Sequence, residues 1–249
     1  ATINSSTGVI TSKTSAGSVT VKVTGTITYN GVSYTTAEGT ATVTVSALPT
    51  VYFKHSTTKS DVSNGGDGTR VTMTYDSTAS TTLGGDAVVY KATLSSLTAA
   101  AHYWVIYNGS ANRYYATNIN SNAGYLGSSG YSTAAHSNGN AGTITPPYAG
   151  NTVVYYNLTD NKVYVELPIR VTYQGYCTSQ SKNVGTAATE TKAYGATATS
   201  GKTITATGYT QVTPVKWYTS NAMSTEYTFP ALTGNKTAVT IYTPMTANT

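Results

Sequence analysis

Acidic side chains are what this chain has least of: nine Asp and Glu among 249 residues. Charged residues of both signs make up 9%, against about 25% in an ordinary soluble domain. Disordered chains are rich in charge and poor in aromatics, so with 39% apolar residues the deficit does not signify disorder. Fourteen Lys and Arg leave a net charge of +5, an excess that comes from missing acids. Lys13, Lys22, Lys54, Lys91, Lys162 and Lys216 stand singly, and only Arg70, Arg113 and Arg170 offer guanidinium forks. No basic stripe results, and a nucleic-acid partner is not expected. The single cysteine, Cys177, excludes an internal disulfide framework and any multi-cysteine metal site, and is expected to be a small buried hydrophobe. No stretch of eighteen apolar residues exists, and residues 1–20 lack a basic segment followed by an apolar run. Neither membrane insertion nor a signal peptide is therefore expected, and the chain reads as a mature or excised segment.

Helical periodicity is almost absent, whereas period-two alternation recurs from end to end, so an all-β fold is expected. Val19, Val21 and Val23 alternate with Thr20, Lys22 and Thr24; Ala41, Val43 and Val45 alternate with threonines. Between them Asn30-Gly31 has the chemistry of a type I′ hairpin turn, which needs positive φ at both residues. Proline ends the first pattern at Pro49, and Pro168 opens a third region, giving boundaries of 1–48, 49–168 and 169–249. The middle region holds expected strands at Val51 to Phe53, Val71 to Tyr75, Ala87 to Leu94 and Tyr103 to Tyr107, then a long polar stretch from Asn118 to Gly142. It closes on a hairpin, Val153 to Leu158 with Val163 to Leu167. In the third region strands are expected at Ile169 to Cys177, Lys202 to Tyr209, Val215 to Tyr218, Tyr227 to Phe229 and Ala238 to Tyr242. Two to three Ig-like sandwiches in tandem are the architecture these patterns suggest.

Catalytic constellations are missing. No two of the nine carboxylates share a motif, and Glu166, alternating with Val165 and Leu167, is expected on the solvent face of its strand. His55, His102 and His136 occur alone, Cys177 has no His beside it, and the Asp61 to Gly68 loop lacks the spacing of a calcium loop. A non-enzyme without cofactor or metal is expected. Tyrosine is what remains, twenty-two against two phenylalanines. A buried core gains nothing from a hydroxyl that must find a partner, so many of these rings should meet water. Exposed rings stack on pyranose faces while amides and hydroxyls bond the sugar's own hydroxyls. Trp104, Tyr107, Tyr114, Tyr115, Tyr125 and Tyr131, set among Asn108, Asn112, Asn118 and Asn120, form the densest such mixture and are the candidate ligand-binding residues.

The first 46 residues resemble the bacterial immunoglobulin-like group 2 family, through Ala1-Thr2-Ile3, Thr7 to Thr11, Ala16 to Val21 and Ala41 to Ser46. Only the family's C-terminal half is represented. Such domains serve as spacers and adhesive stalks and occur in phage structural proteins, so the resemblance implies an extracellular, cell-surface or virion-surface setting. Half a sandwich leaves an apolar face uncovered. Gly201 to Thr207 with Val215 to Asn221 is similar to the family's early strands and would close it, within the chain or between neighbouring subunits; alternatively residues 170–243 form their own small Ig-like domain. The middle region looks like the β-sandwich modules of starch-degrading surface systems, through Tyr90 to Leu94, His102 to Ser110 and Arg113 to Tyr115. That likeness implies a polysaccharide partner of the α-glucan class. The rival expectation is a phage, fibre or filament subunit assembled by strand sharing.

Overall fold

Alternating β-branched and polar residues become strands in both halves of the chain: the computed structural model is all-β, with one short α-helix among the described residues, α1 (Ser77–Thr82). It describes residues 2–3, 10–11, 17–36, 38–45, 47–62, 66–84, 86–109, 112–115, 124–136, 140–235 and 237–248. Thr7 to Val9, Ala16, Ser46, Asn64, Gly65, Ser110, Asn118 and Asn120, all singled out above, lie outside the described residues. Two compact units result, Ala1–Thr50 and Val51–Thr249, the division falling just after Pro49, whereas Pro168 lies inside the second unit.

In the first unit β1 (Thr2–Ile3) pairs with β2 (Ile10–Thr11), β3 (Gly17–Val23) with β6 (Gly39–Val45), and β4 (Thr26–Tyr29) with β5 (Val32–Thr35), all antiparallel. The β4–β5 turn is the expected one, with φ of 49° at Asn30 and 75° at Gly31. Thr36 extends the β4–β5 ribbon by one step: its N–H donates to the Gly25 carbonyl (2.7 Å), and its hydroxyl oxygen accepts from the Gly25 N–H (2.8 Å). Ile27 lies opposite Tyr34 and Tyr29 opposite Val32, so the pleat puts all four on one face. That face is 53–68% exposed.

The second unit opens with β7 (Val51–Ser56), β8 (Thr69–Tyr75), β9 (Val89–Leu97), β10 (His102–Asn108), β11 (Asn112–Tyr115), β12 (Ser132–Thr133), β13 (Ala135–His136), β14 (Gly142–Ile144), β15 (Gly150–Asn157) and β16 (Lys162–Glu166). They form one sheet in the order β12-β16-β15-β9-β8-β7-β10-β11-β13, with β14 on β10. Its two ends, β12 and β13, are separated in sequence by Ala134 alone, so the sheet curls into a near-barrel. Alternation then assigns the sides. Phe53, Trp104, Ile106, Tyr90, Leu94, Val154, Tyr156 and Val163 are all buried, and the aromatic members interlock, Phe53 stacking on Trp104 at 5.4 Å. Burying a large apolar side chain stabilises by about 2–3 kcal/mol, which is why both tryptophan and phenylalanine lie inside.

The unit ends with β17 (Ile169–Cys177), β18 (Lys182–Lys192), β19 (Tyr209–Gln211) and β20 (Ala238–Ala247), in the order β18-β17-β20-β19. β17 and β20 run parallel. One sheet face is buried by Ile169, Val171, Tyr173, Cys177, Ile241 and Met245 together with Ile204, Trp217, Tyr227 and Leu232 from the covering chain. Three expectations are corrected here. Lys202 to Gly208, Val215 to Tyr218 and Tyr227 to Phe229 are not strands: β19 begins only at Tyr209, and the chain is held there by isolated bridges such as Tyr218 to Glu226 and Tyr218 to Tyr242. Their apolar residues cover the core one at a time, through Ile204, Trp217 and Tyr227, with no ladder of their own. Cys177 is fully buried, as expected of a small hydrophobe.

Candidate functional site

Of the twenty-two tyrosines, six are buried, twelve half-buried and four exposed. Three groups of them lie on the outer faces of the sheets, where some rings are covered by α1 and the 124–130 segment and others meet solvent. On the outer face of the barrel, register sets Tyr164 opposite Tyr155, and Tyr155 opposite Lys91. The segment 124–130 folds onto this face, its Gly124 carbonyl accepting from the Val165 N–H (2.9 Å) and its Ser128 hydroxyl donating to the Tyr125 carbonyl (2.7 Å). Tyr125 is thereby stacked against Tyr194 at 5.8 Å. Tyr131, 40% exposed, leans on Tyr164 at 6.2 Å, and the Lys162 ammonium sits 4.4 Å from its ring centre. Lys162 is fixed by Asp160 at 2.9 Å, a hydrogen bond that raises its pKa. Glu166 departs from the expectation of a solvent-facing carboxylate. It is half-buried beside the 124–130 segment, accepts from the Tyr155 hydroxyl (3.2 Å), and burial pushes its pKa up.

A second group lies on the outer face of β8, β7, β10 and β11. Here Thr72, Tyr52, Tyr107 and Arg113 are paired in one cross-strand row, and Arg70, Lys54 and Val105 in the next. The Arg70 guanidinium lies over Tyr52 at 5.2 Å and Tyr107 at 5.7 Å, and Arg113 lies 5.8 Å from Tyr107. Arg113 donates to the Val62 carbonyl (2.9 Å) and the Lys54 ammonium to the Gly66 carbonyl, so these two cations anchor the backbone at Val62 and Gly66. Three basic residues far apart in sequence are thus gathered on one face, where the linear spacing predicts scatter.

A third group occupies the solvent face of the four-stranded sheet. Tyr242 lies beside Gln174 in the parallel register and meets Tyr176 edge-on at 6.3 Å; Tyr218 bridges to Tyr242 from the other side. All three rings are half-buried. Farther along β17, Arg170 stands 4.0 Å over Tyr148. Beside this sheet an open trough of about 730 Å³ is lined by Thr203, Ile204, Thr205, Ala206, Gln211 and Val215 among others, a wall that mixes hydroxyls and an amide with apolar side chains.

The seven expected residues do not converge on one site. Trp104 is a correction: it is 0% exposed inside the barrel, so no sugar face can reach its ring. It lies on the same side of β10 as Ile106, and apolar burial outweighs any surface role for a side chain of that size. Tyr107 belongs to the arginine group. Asn108 and Tyr114 gather round Tyr156, whose hydroxyl bonds Asn108 and donates to Asn161 (2.5 Å) while its ring meets Tyr114 at 6.1 Å. Tyr115 accepts from the Asn140 amide at 3.2 Å. Trp104, Asn108 and Tyr114 thus lie on the inner side of their strands, whereas Tyr125 and Tyr131 belong to the outer face. Sequence reasoning missed Tyr52, Arg70, Tyr176, Tyr194, Tyr218 and Tyr242; for Tyr176 the signal was present, since Thr172, Gln174 and Tyr176 alternate with the buried residues of β17. Compared with protein-family models, with curated proteins and with solved structures, the chain finds no match.

Proposed function

We propose that the protein is a non-catalytic polysaccharide-binding module acting outside the cell, at a cell or virion surface, with tyrosine rings as its sugar platforms. The observation that carries this reading is the placement of the rings: sixteen of twenty-two keep contact with solvent, and several of them meet one another or a cation there, as Tyr125 meets Tyr194, Tyr131 meets Lys162 and Tyr52 and Tyr107 meet Arg70. A stacked ring and a bonded hydroxyl suffice to hold a sugar; neither needs a titrating group. An α-glucan is the class implied by the resemblance of the middle region. In gels cast with amylopectin or other glycans, the protein should be retarded, and Tyr125→Ala combined with Tyr131→Ala should weaken retardation about tenfold, as expected for the loss of two aromatic contacts. Unretarded migration through a broad glycan set removes the reading.

One feature favours a second reading, a fibre, filament or phage subunit that shares strands with its neighbours. The β4–β5 face exposes Ile27, Tyr29, Val32 and Tyr34 by more than half, and an isolated two-stranded ribbon is marginal in water. Sedimentation separates the two: a subunit of this kind assembles, whereas a binding module sediments near 25.9 kDa.

A further inference from the structure

Tyr107 is one of the rings expected from sequence to hold a ligand, and its neighbours specify the ligand further. Resting on the polysaccharide reading, we infer that the Tyr52–Tyr107–Arg70 face binds an acidic glycan, a chain whose sugars carry carboxylates or sulfates. Four facts combine. Tyr52 and Tyr107 are direct cross-strand neighbours, both half-buried with their rings on the solvent side of the sheet. Arg70 is exposed, lies across both rings, and makes no ion pair with a carboxylate among the described residues. Five lysines of the described residues do have such pairs, with Glu38, Asp76, Asp160, Glu190 and Glu226, so in a chain this poor in acids most carboxylates are already engaged at other places. Lys54 and Arg113, 3% and 1% exposed, put two more positive charges beneath the same face.

Lys54 feels that crowding: burial lowers its pKa, and Arg70 and Arg113 lower it further, while Asp67 and Asp61 act against them. Asp61 is turned to the Ser56 hydroxyl, which donates to it at 2.7 Å. Of the three cations, Arg70 is the one whose guanidinium reaches solvent on this face. A guanidinium fork matches a carboxylate or sulfate in two parallel hydrogen bonds. Stacking on the adjacent tyrosines supplies the contact to the sugar ring that a bare anion site would lack. The rings separate this site from a plain phosphate site, and the single exposed guanidinium separates it from the long basic tracks that nucleic acids need.

The test is affinity electrophoresis of the whole chain in polygalacturonate, in the same polymer fully methyl-esterified, in amylopectin and with a single-stranded oligonucleotide. Retardation by the acid polymer, lost on esterification and weakened at least tenfold by Arg70→Ala, is the expected result. Arg70→Lys, which keeps the charge and loses the fork, should fall between. Lys216→Ala removes one positive charge elsewhere and should leave binding unchanged. Equal weakening by Arg70→Ala and Lys216→Ala would mean attraction of a basic protein to any polyanion and would overturn the inference, as would tighter binding of the oligonucleotide. Retardation in amylopectin alone, unaffected by Arg70→Ala, would overturn it and leave the polysaccharide reading standing; no retardation in any glycan would remove both. Arg70 is exposed, so its variants should keep the wild-type circular dichroism, and binding by a variant of unchanged fold is what decides.

Discussion

Glu190 is the most heavily tied carboxylate among the described residues. The Tyr173 hydroxyl donates to it, the Thr199 N–H and hydroxyl donate at 2.8 Å each, and Lys192 stands at 3.3 Å. Burial pushes its pKa up, but the hydrogen bonds from Tyr173, Thr199 and Lys192 outweigh burial and hold it at about 2. Because the folded value lies below the unfolded one, the resulting stability is present above the ordinary carboxylate range near pH 4.5 and is lost as pH falls toward 2. Glu190→Gln should therefore cost about 2 kcal/mol in urea unfolding at pH 7, and the gap to wild type should shrink steadily between pH 4.5 and 2. A gap independent of pH would contradict that account. At this scale the sequence was legible where one side chain has one dominant preference: Cys177 is buried as a small hydrophobe. It was not legible where two preferences compete. Trp104 could stack on a sugar or fill a core, and only the neighbouring Phe53 decides. Glu166 alternates like a surface residue, yet a segment some forty residues earlier in the chain folds over it.

Element α1 consists of Ser, Thr and Ala only, a composition with little intrinsic helix preference. Asp76 starts it, its carboxylate accepting from the Ala79 N–H at 2.9 Å, and Ala79 with Leu83 packs against Val89, Tyr155 and Tyr164. Asp76→Ala should lower stability by about 1 kcal/mol, the usual cost of a lost N-cap; thermal unfolding would read it, and an unchanged midpoint would show that packing alone holds the turn. Strands with clean alternation, such as Tyr103 to Tyr107 or the Val153 to Leu167 hairpin, were readable because the pleat imposes period two. β18 was not: Lys182–Lys192 is mostly polar and small residues at a sheet edge, with Val184 its one buried side chain, so no apolar period marks it. The Lys202 to Gly208 stretch shows the converse, since alternation there serves burial of Ile204 without a partner strand.

For the whole molecule, the all-β class was visible in alternation, while the curling of ten strands into one near-barrel depends on pairings distant in sequence. If the exposed ribbon drives assembly, sedimentation of the full chain should show species heavier than 25.9 kDa, and a chain of residues 51–249 should remain monomeric at the same concentration. Heavier species from residues 51–249 would place association elsewhere. The parallel pairing of β17 with β20 bears on the order of events during folding. These strands are neighbours in space, yet the whole covering segment from β18 to β19 lies between them in sequence. Their union must wait until that span has been synthesised and looped back, an entropic delay that hairpins escape. Trp217, packed edge-on against Tyr173 at 5.1 Å and 2% exposed, sits where that late docking ends. Its fluorescence is a natural clock for the final step, and until the strand arrives the nascent sheet offers an open lane to any other extended peptide nearby.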